Sequence, residues 1–361
     1  MKFILALVSF CFIGSTVVVA QQGGAQTIRL AQSVYEQGRL HELPDLLKDS
    51  QVATFSKNYQ VDAYRLLTLA YIYLEEPELA DVSMLKLLDA NHFYEPNEQV
   101  EPAEFIGLYK TFRTKPVFNY GLKGGLNGTQ PLLNSAYYVS SGAPGKGKNS
   151  LSVGFQVGGV FEKEILSKSK NKIFGNGRLS FAPEIFYTSR AFKYTNPNLF
   201  TSDSLAGTSV ADGLVTVKQN WLDLNPIVQM KIGKSKTALP YVGFGPGISY
   251  LLSAPTTLVT TRSNGAGVVS GPAIPFNTSY NKIVPSLIGI VGIKYRFGET
   301  YLVAEFRIQY GLANPVNSAT RTNTSGAFEN MYQLSDYKPI SMAANIGVVI
   351  PYFNPIKLKH K

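Results

Sequence analysis

Residues 301–312, YLVAEFRIQYGL, alternate between two kinds of side chain. The even positions from Leu302 to Leu312 are all apolar, whereas the odd positions include Glu305, Arg307 and Gln309. A period of two is typical of a β-strand, whose successive side chains point to opposite faces of a sheet. The segment is therefore predicted to be a strand that separates an apolar environment from a polar one.

Seven further runs between residue 116 and residue 353 repeat this alternation. The eight predicted strands are 117–127, 151–162, 178–190, 216–232, 239–252, 283–296, 300–312 and 339–350. Several exceed ten residues, which suits a tilted bilayer crossing. The connections 128–150, 191–215, 253–282 and 313–338 are long, those at 233–238 and 297–299 are short, and 163–177 is intermediate. An even strand number with alternating loop lengths predicts an eight-stranded antiparallel transmembrane β-barrel.

A soluble antiparallel sandwich also alternates, with its apolar face in the core. The distribution of aromatic residues favours the barrel, because a membrane barrel carries aromatic girdles near the ends of its strands. Aromatic residues near the run ends are Phe118, Tyr120, Tyr187, Trp221, Tyr241, Tyr250, Tyr295, Phe297, Tyr301, Tyr310, Tyr352 and Phe353. With the apolar faces on lipid, the charged faces would line the barrel interior.

The predicted interior carries charges of both signs. Its members are Lys123, Glu184, Arg190, Asp223, Lys231, Lys294, Arg296, Glu305 and Arg307. Eight strands leave an interior that side chains just fill, and an unpaired charge there would be costly. We therefore expect a network of ion pairs that plugs the barrel.

The first twenty residues have the pattern of a secretory signal peptide. Lys2 precedes an apolar stretch at 3–13, and Val18 and Ala20 suit a cleavage site before Gln21. A short N-terminal membrane anchor is the alternative. Cys11 is the only cysteine, so the predicted mature chain has no disulfide and no thiolate ligand. A short linker, 21–26, follows.

Residues 27–115 have helical periodicity, with breaks near Pro77 and Pro96. The stretch 63–91 resembles a tetratricopeptide (TPR) helix pair, with small alanines at packing positions and a leucine-rich second helix. Such pairs usually present a groove to a partner peptide. A plain helical bundle without a ligand is the alternative. We expect a small α-helical, TPR-like domain ahead of the barrel, and hence an α+β multidomain chain.

Charge is divided unevenly along the chain. Residues 27–115 hold nine Lys/Arg and fourteen Asp/Glu, whereas residues 116–361 hold twenty-four and ten. The predicted short-turn side has a basic rim that comprises Lys163, Lys168, Lys170, Lys172, Lys234 and Lys236, and a basic tail at 354–361. An exported chain rarely meets nucleic acid, so we expect lipid phosphates, or the acidic helical domain, as the counter-charge. A domain ahead of the first strand falls on the short-turn side and is expected in the periplasm.

Four runs carry a family resemblance: FNYGLKGGLN (118–127), NWLDLNPIVQMKIG (220–233), LPYVGFGPGISYLL (239–252) and LIGIVGIKYRFG (287–298). They resemble Bacteroidota outer-membrane β-barrel proteins of the Por-T-like, outer membrane protein β-barrel domain group, over about residues 116–353. The resemblance implies an outer-membrane barrel. Some relatives belong to type IX secretion and gliding machinery, which implies a role in an envelope or secretion machine.

Catalytic groups are scarce in the predicted barrel. The three histidines, His41, His92 and His360, all lie outside its strands and long loops, which leaves no histidine base there. We therefore expect no enzyme activity, no cofactor and no metal site. Ser204, in the sequence DSL, is a candidate O-glycosylation site in an outside loop. The expected function is to anchor a periplasmic interaction domain that recruits a periplasmic or outer-membrane protein. A small-solute or ion channel, and a surface receptor or adhesin acting through the long loops, are the alternatives.

Overall fold

The chain forms two compact units in a computed structural model. The structure describes residues 18–137, 147–165, 178–200, 211–233, 235, 237–262, 268–321 and 332–358. One unit comprises Met1–Pro116 together with Phe353–Lys361, and the other comprises Val117–Tyr352. The C-terminal segment thus belongs to the unit that precedes the barrel in sequence.

The first unit is helical. Its described residues form six α-helices, with a 3₁₀ turn at Leu40–Glu42 after the first: α1 (Val18–Glu36), α2 (Leu43–Leu46), α3 (Asp49–Val52), α4 (Lys57–Tyr73), α5 (Pro77–Ala90) and α6 (Ala103–Lys110). Among the described residues, no helix has the length and apolarity that a membrane crossing requires. The long helices α4 and α5 pack together because each has a buried apolar stripe.

Helices α4 and α5 meet across a tight turn. Glu75 in that turn has a φ of +59°. Pro77 lies in the first turn of α5, where a backbone N–H would have no partner within the helix, so its missing N–H costs no hydrogen bond. The buried stripe of the pair comprises Ala63, Leu66, Leu67, Ala70, Ala80, Met84, Leu87 and Leu88. Leu79, the neighbour of buried Ala80, is 44% exposed.

The second unit is a closed ring of eight antiparallel strands. Its members are β1 (Phe118–Ser135), β2 (Lys148–Ile165), β3 (Leu179–Phe200), β4 (Ala211–Lys231), β5 (Ala238–Ser253), β9 (Ile283–Phe297), β10 (Thr300–Gly311) and β11 (Asp336–Tyr352). Each strand pairs with the next in this order, and β1 pairs with β11 from Phe118↔Tyr352 onward. Closure leaves no edge with unpaired backbone groups, which a lipid environment requires.

Three short strands lie outside the ring, in a connection that the sequence pattern predicted to be a loop. They are β6 (Pro255–Arg262), β7 (Val268–Ser270) and β8 (Ile274–Pro275). Strand β6 pairs with the first residues of β4, from Ala211↔Arg262 to Val217↔Thr256. Strands β3 and β4 are 22 and 21 residues long, which exceeds the prediction. They continue to pair with each other beyond the ring, as far as Phe200↔Ala211.

Alternation along the ring strands sorts the side chains by environment. Exposed apolar residues on the outer face include Leu122, Leu126, Ile185, Val291, Phe306, Ile308, Ile346 and Val348. The inward residues between them are buried. At the end with the long connections, the interior is an apolar and aromatic cluster that includes Phe192, Trp221, Phe276, Tyr280, Tyr332 and Tyr337. Trp221, Tyr241 and Tyr301, predicted for the outer girdle, are instead inward residues packed in apolar clusters of the interior.

Candidate functional site

Four charged side chains meet at the middle of the barrel. Lys123 Nζ on β1 lies 2.8 Å from Glu184 Oε1 on β3 and 2.9 Å from Glu305 Oε2 on β10. Arg307, also on β10, bonds Glu184 Oε2 at 2.9 Å and pairs with Glu305. We call Lys123, Glu184, Glu305 and Arg307 the central quartet. Its two positive and two negative charges cancel, which buried ions need if desolvation is not to dominate.

Neutral groups hold the quartet in place. Tyr241 Oη donates to Glu305 Oε2 at 2.7 Å, and Asn345 Nδ2 donates to Glu305 Oε1 at 2.9 Å. Gln156 in turn donates to Asn345 Oδ1 at 2.9 Å, and the Arg307 guanidinium lies 4.6 Å from the Phe186 ring centre. Each carboxylate oxygen of Glu305 thus has several donors, so the charges are fixed by side chains from most of the ring.

A second ion pair lies nearer the long connections. Arg190 Nη2 donates to Asp223 Oδ2 at 2.7 Å, and Thr188 donates to the same oxygen at 2.7 Å. Arg190 also bonds Gln309 Oε1 at 3.1 Å and lies 5.6 Å from the Trp221 ring centre. Both ions are almost fully buried beneath the aromatic cluster, so this level of the interior is filled as well.

Two more ion pairs lie toward the opposite end, where the strand connections are short. Lys294 Nζ donates to Glu162 Oε2 at 2.5 Å and to Gln229 Oε1 at 3.2 Å, and both ions are buried. Lys231 pairs with Glu164 at 2.5 Å, with about a quarter of the Lys231 side chain exposed. The interior is thus ion-paired at three levels along the barrel.

The structure brings most of the sequence-predicted interior charges together. Buried and ion-paired are Lys123, Glu184, Arg190, Asp223, Lys294, Glu305 and Arg307. Lys231 is ion-paired at the mouth, whereas Arg296 is half-buried and its backbone N donates to Thr237 O at 2.7 Å. Both lie within a few residues of a strand end, where the interior opens.

Sequence reasoning missed two acids that complete the charge balance, Glu162 and Glu164. Both continue the inward register of β2, two and four residues after the buried Val160. Glu162 was the last residue of the predicted strand and Glu164 fell in the predicted connection, so neither was assigned to the inward face. Continuing the alternation of β2 two residues at a time from Val160 would have identified both acids as inward-facing.

Of the predicted basic rim, Lys163 is exposed on β2. Lys168, Lys170, Lys172, Lys234 and Lys236, and the candidate glycosylation site Ser204, lie outside the described residues. Within the described ranges, no cluster of three or more His, Cys, Asp or Glu could hold a metal ion. Among the interior groups described, each carboxylate of the central quartet accepts bonds from Lys123 and from Arg307.

Comparison with known proteins places the barrel in a family. The family model described as Outer membrane protein beta-barrel domain matches residues 113–317, more than half of the chain. A search of curated proteins finds no match.

Solved structures similar to the chain include three small bacterial barrels. Neisserial surface protein A is 11% identical, with 65% of this chain and 97% of that one covered and a TM-score of 0.30. OprG from Pseudomonas aeruginosa is 14% identical, with 66% and 98% covered and a TM-score of 0.28. Ail, the attachment invasion locus protein of Yersinia pestis, is 12% identical, with 64% and 99% covered and a TM-score of 0.25. On the family match, the chain belongs to the outer membrane protein beta-barrel domain family, and it is an outer-membrane β-barrel protein.

Proposed function

We propose that the protein is a non-catalytic outer-membrane anchor that holds a helical interaction unit in the periplasm, where it recruits a periplasmic or outer-membrane protein. The observation that carries this proposal is the filled interior. Lys123, Glu184 and Glu305 have fully buried side chains at the centre of the barrel, and an apolar cluster fills its end. Because paired ions and aromatic rings pack the interior, we infer that the barrel serves as a membrane anchor.

The chain's topology supports the periplasmic placement of the helical unit. Strand β1 starts and β11 ends at the same end of the ring, as the pair Phe118↔Tyr352 indicates. Strand β4 also ends and β5 begins at this end, as do β9 and β10, and the connections of both pairs are short. In outer-membrane barrels the short turns face the periplasm, so both segments that flank the barrel would emerge there.

The aromatic residues at this end support a contact with membrane lipid. Phe118 lies 4.8 Å from Tyr352, 5.1 Å from Phe161 and 6.3 Å from Tyr120, measured between ring centres. Aromatic clusters of this kind sit at the level of the lipid headgroups. We propose that exposed Lys163, two residues beyond Phe161 on β2, meets lipid phosphates at the same level.

The interaction role is proposed for the paired helices α4 and α5. The pair has small buried residues at its contact, Ala63, Ala70 and Ala80, and the exposed apolar side chains Tyr73 and Leu79. Helix pairs with this pattern occur in TPR-type units, which bind partner segments. The exposed apolar residues would gain burial in a complex.

Cross-linking in intact outer membranes tests the proposal. The full chain should yield a specific cross-linked partner, and a variant that lacks residues 27–115 should lose it while its barrel stays folded. Resistance of the unheated barrel to detergent unfolding in gel electrophoresis checks the fold. Retention of the same partner by the shortened variant would overturn the proposed role.

A second candidate, a surface receptor, is favoured by the ordered extension beyond the ring. Strand β6 pairs with β4, and Phe276 and Tyr280 are buried in the aromatic cluster. A structured platform at the long-connection end suits ligand contact through the adjoining loops. Binding of whole cells to a candidate host or surface ligand, lost when residues 255–275 are replaced by a short linker, would support this role over the first.

A further inference from the structure

The helical unit contains a hollow of about 330 Å³ beside the turn between α4 and α5. Tyr71 and Ile72 at the end of α4, and Leu108 of α6, supply its apolar lining. Its size is at the lower end for a ligand pocket, so it suits one long side chain and not a whole helix.

Carboxylates dominate the polar lining of this hollow. Of the described residues, the lining holds the four acids Glu75, Glu76, Asp81 and Glu104 and one cation, Lys357, whose Nζ donates to Asp81 Oδ2. Among the described residues, Glu75, Glu76 and Glu104 have no ion-pair partner. The lining therefore keeps an excess of three negative charges, which concentrates cations.

A basic segment of the same chain already lies against the hollow. We call Phe353–Leu358 the strap. Arg113 N donates to Ile356 O at 3.0 Å, and Leu358 N donates to Thr111 O at 2.8 Å, so the strap runs extended along residues 111–113.

An aromatic contact fixes the start of the strap. The Phe353 ring stacks on His92 at 4.9 Å and meets the edge of Phe93 at 5.1 Å, between ring centres. The strap thus shows how this surface takes an extended backbone, with an ammonium group directed at the carboxylates of the hollow.

We propose that the hollow is a docking site for a lysine or arginine side chain on an extended segment of a partner protein, bound beside Lys357. The aliphatic stem would pack on Tyr71, Ile72 and Leu108, and the cationic head would meet Glu75, Glu76 and Glu104. This inference rests on the proposed interaction role of the helical unit and names the chemistry of its partner.

A peptide titration of the full-length protein in lipid nanodiscs tests the site. The probe is a fluorescent peptide with the strap sequence FNPIKLKHK, and fluorescence anisotropy follows its binding at about 50 mM and about 500 mM salt. Binding should weaken at high salt. The triple variant Glu75→Gln, Glu76→Gln and Glu104→Gln should bind about tenfold more weakly at low salt.

The matched control removes three exposed acids elsewhere on the unit: Glu36→Gln, Asp45→Asn and Glu98→Gln. It should bind the peptide as the wild type does. Equal affinity of the triple variant and the wild type, or an equal loss in the control, would overturn the docking site. If the triple variant binds normally while deletion of 27–115 still abolishes partner cross-linking, the hollow is rejected and the proposed function stands.

Discussion

Lys123 and Glu305 lie 182 residues apart in sequence, yet Lys123 Nζ and Glu305 Oε2 are 2.9 Å apart at the centre of the barrel. Strand β11 separates their strands in the ring, so the ion pair crosses the lumen between strands that are not neighbours. The side chains of both residues are fully buried. A pair of this kind ties the wall together across the lumen and fills the space through which a solute would pass.

Removing one charge from the central quartet should destabilise the barrel. Glu305→Gln keeps the size of the side chain but leaves Lys123 and Arg307 facing only Glu184, and breaking a buried pair costs about 3–5 kcal/mol. Urea unfolding in lipid vesicles measures the loss through Trp221, the only tryptophan and a buried residue of the barrel. Glu164→Gln, at the partly exposed pair with Lys231, should cost less, about 1 kcal/mol. Similar losses for both variants would contradict the central role of the quartet.

The Glu162–Lys294 pair should show strong coupling. Lys294→Met alone leaves a buried carboxylate without its cation, and we expect a loss of about 3–5 kcal/mol. Combining it with Glu162→Leu removes both charges, so the double variant should regain most of that stability. The same urea titration supplies the double-mutant cycle. Losses that simply add would show that the two ions act independently.

Adjacent glycines on β1 should respond oppositely to alanine. A Cβ on inward-facing Gly125 would overlap the backbone oxygen of Ala344, whereas the nearest atom to a Cβ on outward-facing Gly124 is 3.5 Å away. Gly125→Ala should therefore prevent folding or strongly destabilise the barrel, and Gly124→Ala should fold normally. The fraction of folded barrel after refolding into vesicles distinguishes them. Equal yields would contradict the close approach of β1 and β11.

The helical unit should lose stability at high pH. Burial raises the pKa of Tyr94 to about 12, and the charge of Glu101 adds to the effect. An unfolded tyrosine ionises near pH 10, so between about pH 10 and pH 12 the unfolded state releases a proton that the folded state retains. Stability contributed by neutral Tyr94 is complete below pH 10 and is lost as the pH rises through 12.

Helical circular dichroism during thermal unfolding checks this direction. Tyr94→Phe should make the midpoint fall less between about pH 10 and pH 12, since phenylalanine has no proton to lose. Tyr73→Phe, at a side chain that is 49% exposed, serves as the control and should leave the fall unchanged. An unchanged fall in Tyr94→Phe would show that another group governs the transition.

Local periodicity predicted the ring because a strand's two faces are set by residue parity. Alternation along each strand places Arg190 on β3 and Lys294 on β9 on the inward face. The same alternation places Leu122 and Phe306 on the exposed face, so the interior charges follow from the sequence. Parity does not specify partners, and for that reason the pairing of Lys123 with Glu184 and Glu305 required the closed ring.

Other features have no local signal. Strand β6 forms where β4 continues past the ring, and the paired residues of β4 and β6 are 39 to 51 residues apart in sequence. The strap packs with Arg113 and His92 although more than 230 residues separate them. Such contacts join residues that are distant in sequence, so local sequence patterns do not predict them. By contrast, the start of α5 at Pro77 was predictable, because proline fixes its own backbone.

Conductance in planar lipid bilayers tests the central claim most directly. A barrel filled by the central quartet and the aromatic cluster should add no steady ohmic conductance to the lipid baseline, whether the long connections are intact or truncated. A charge-balanced double variant, Lys123→Ala with Glu184→Ala, removes part of the filling, leaves the Glu305–Arg307 pair in place and serves as the control for detecting an opened barrel. A stable ohmic conductance in the wild-type protein that survives truncation of the long connections would contradict a closed anchor and favour a channel.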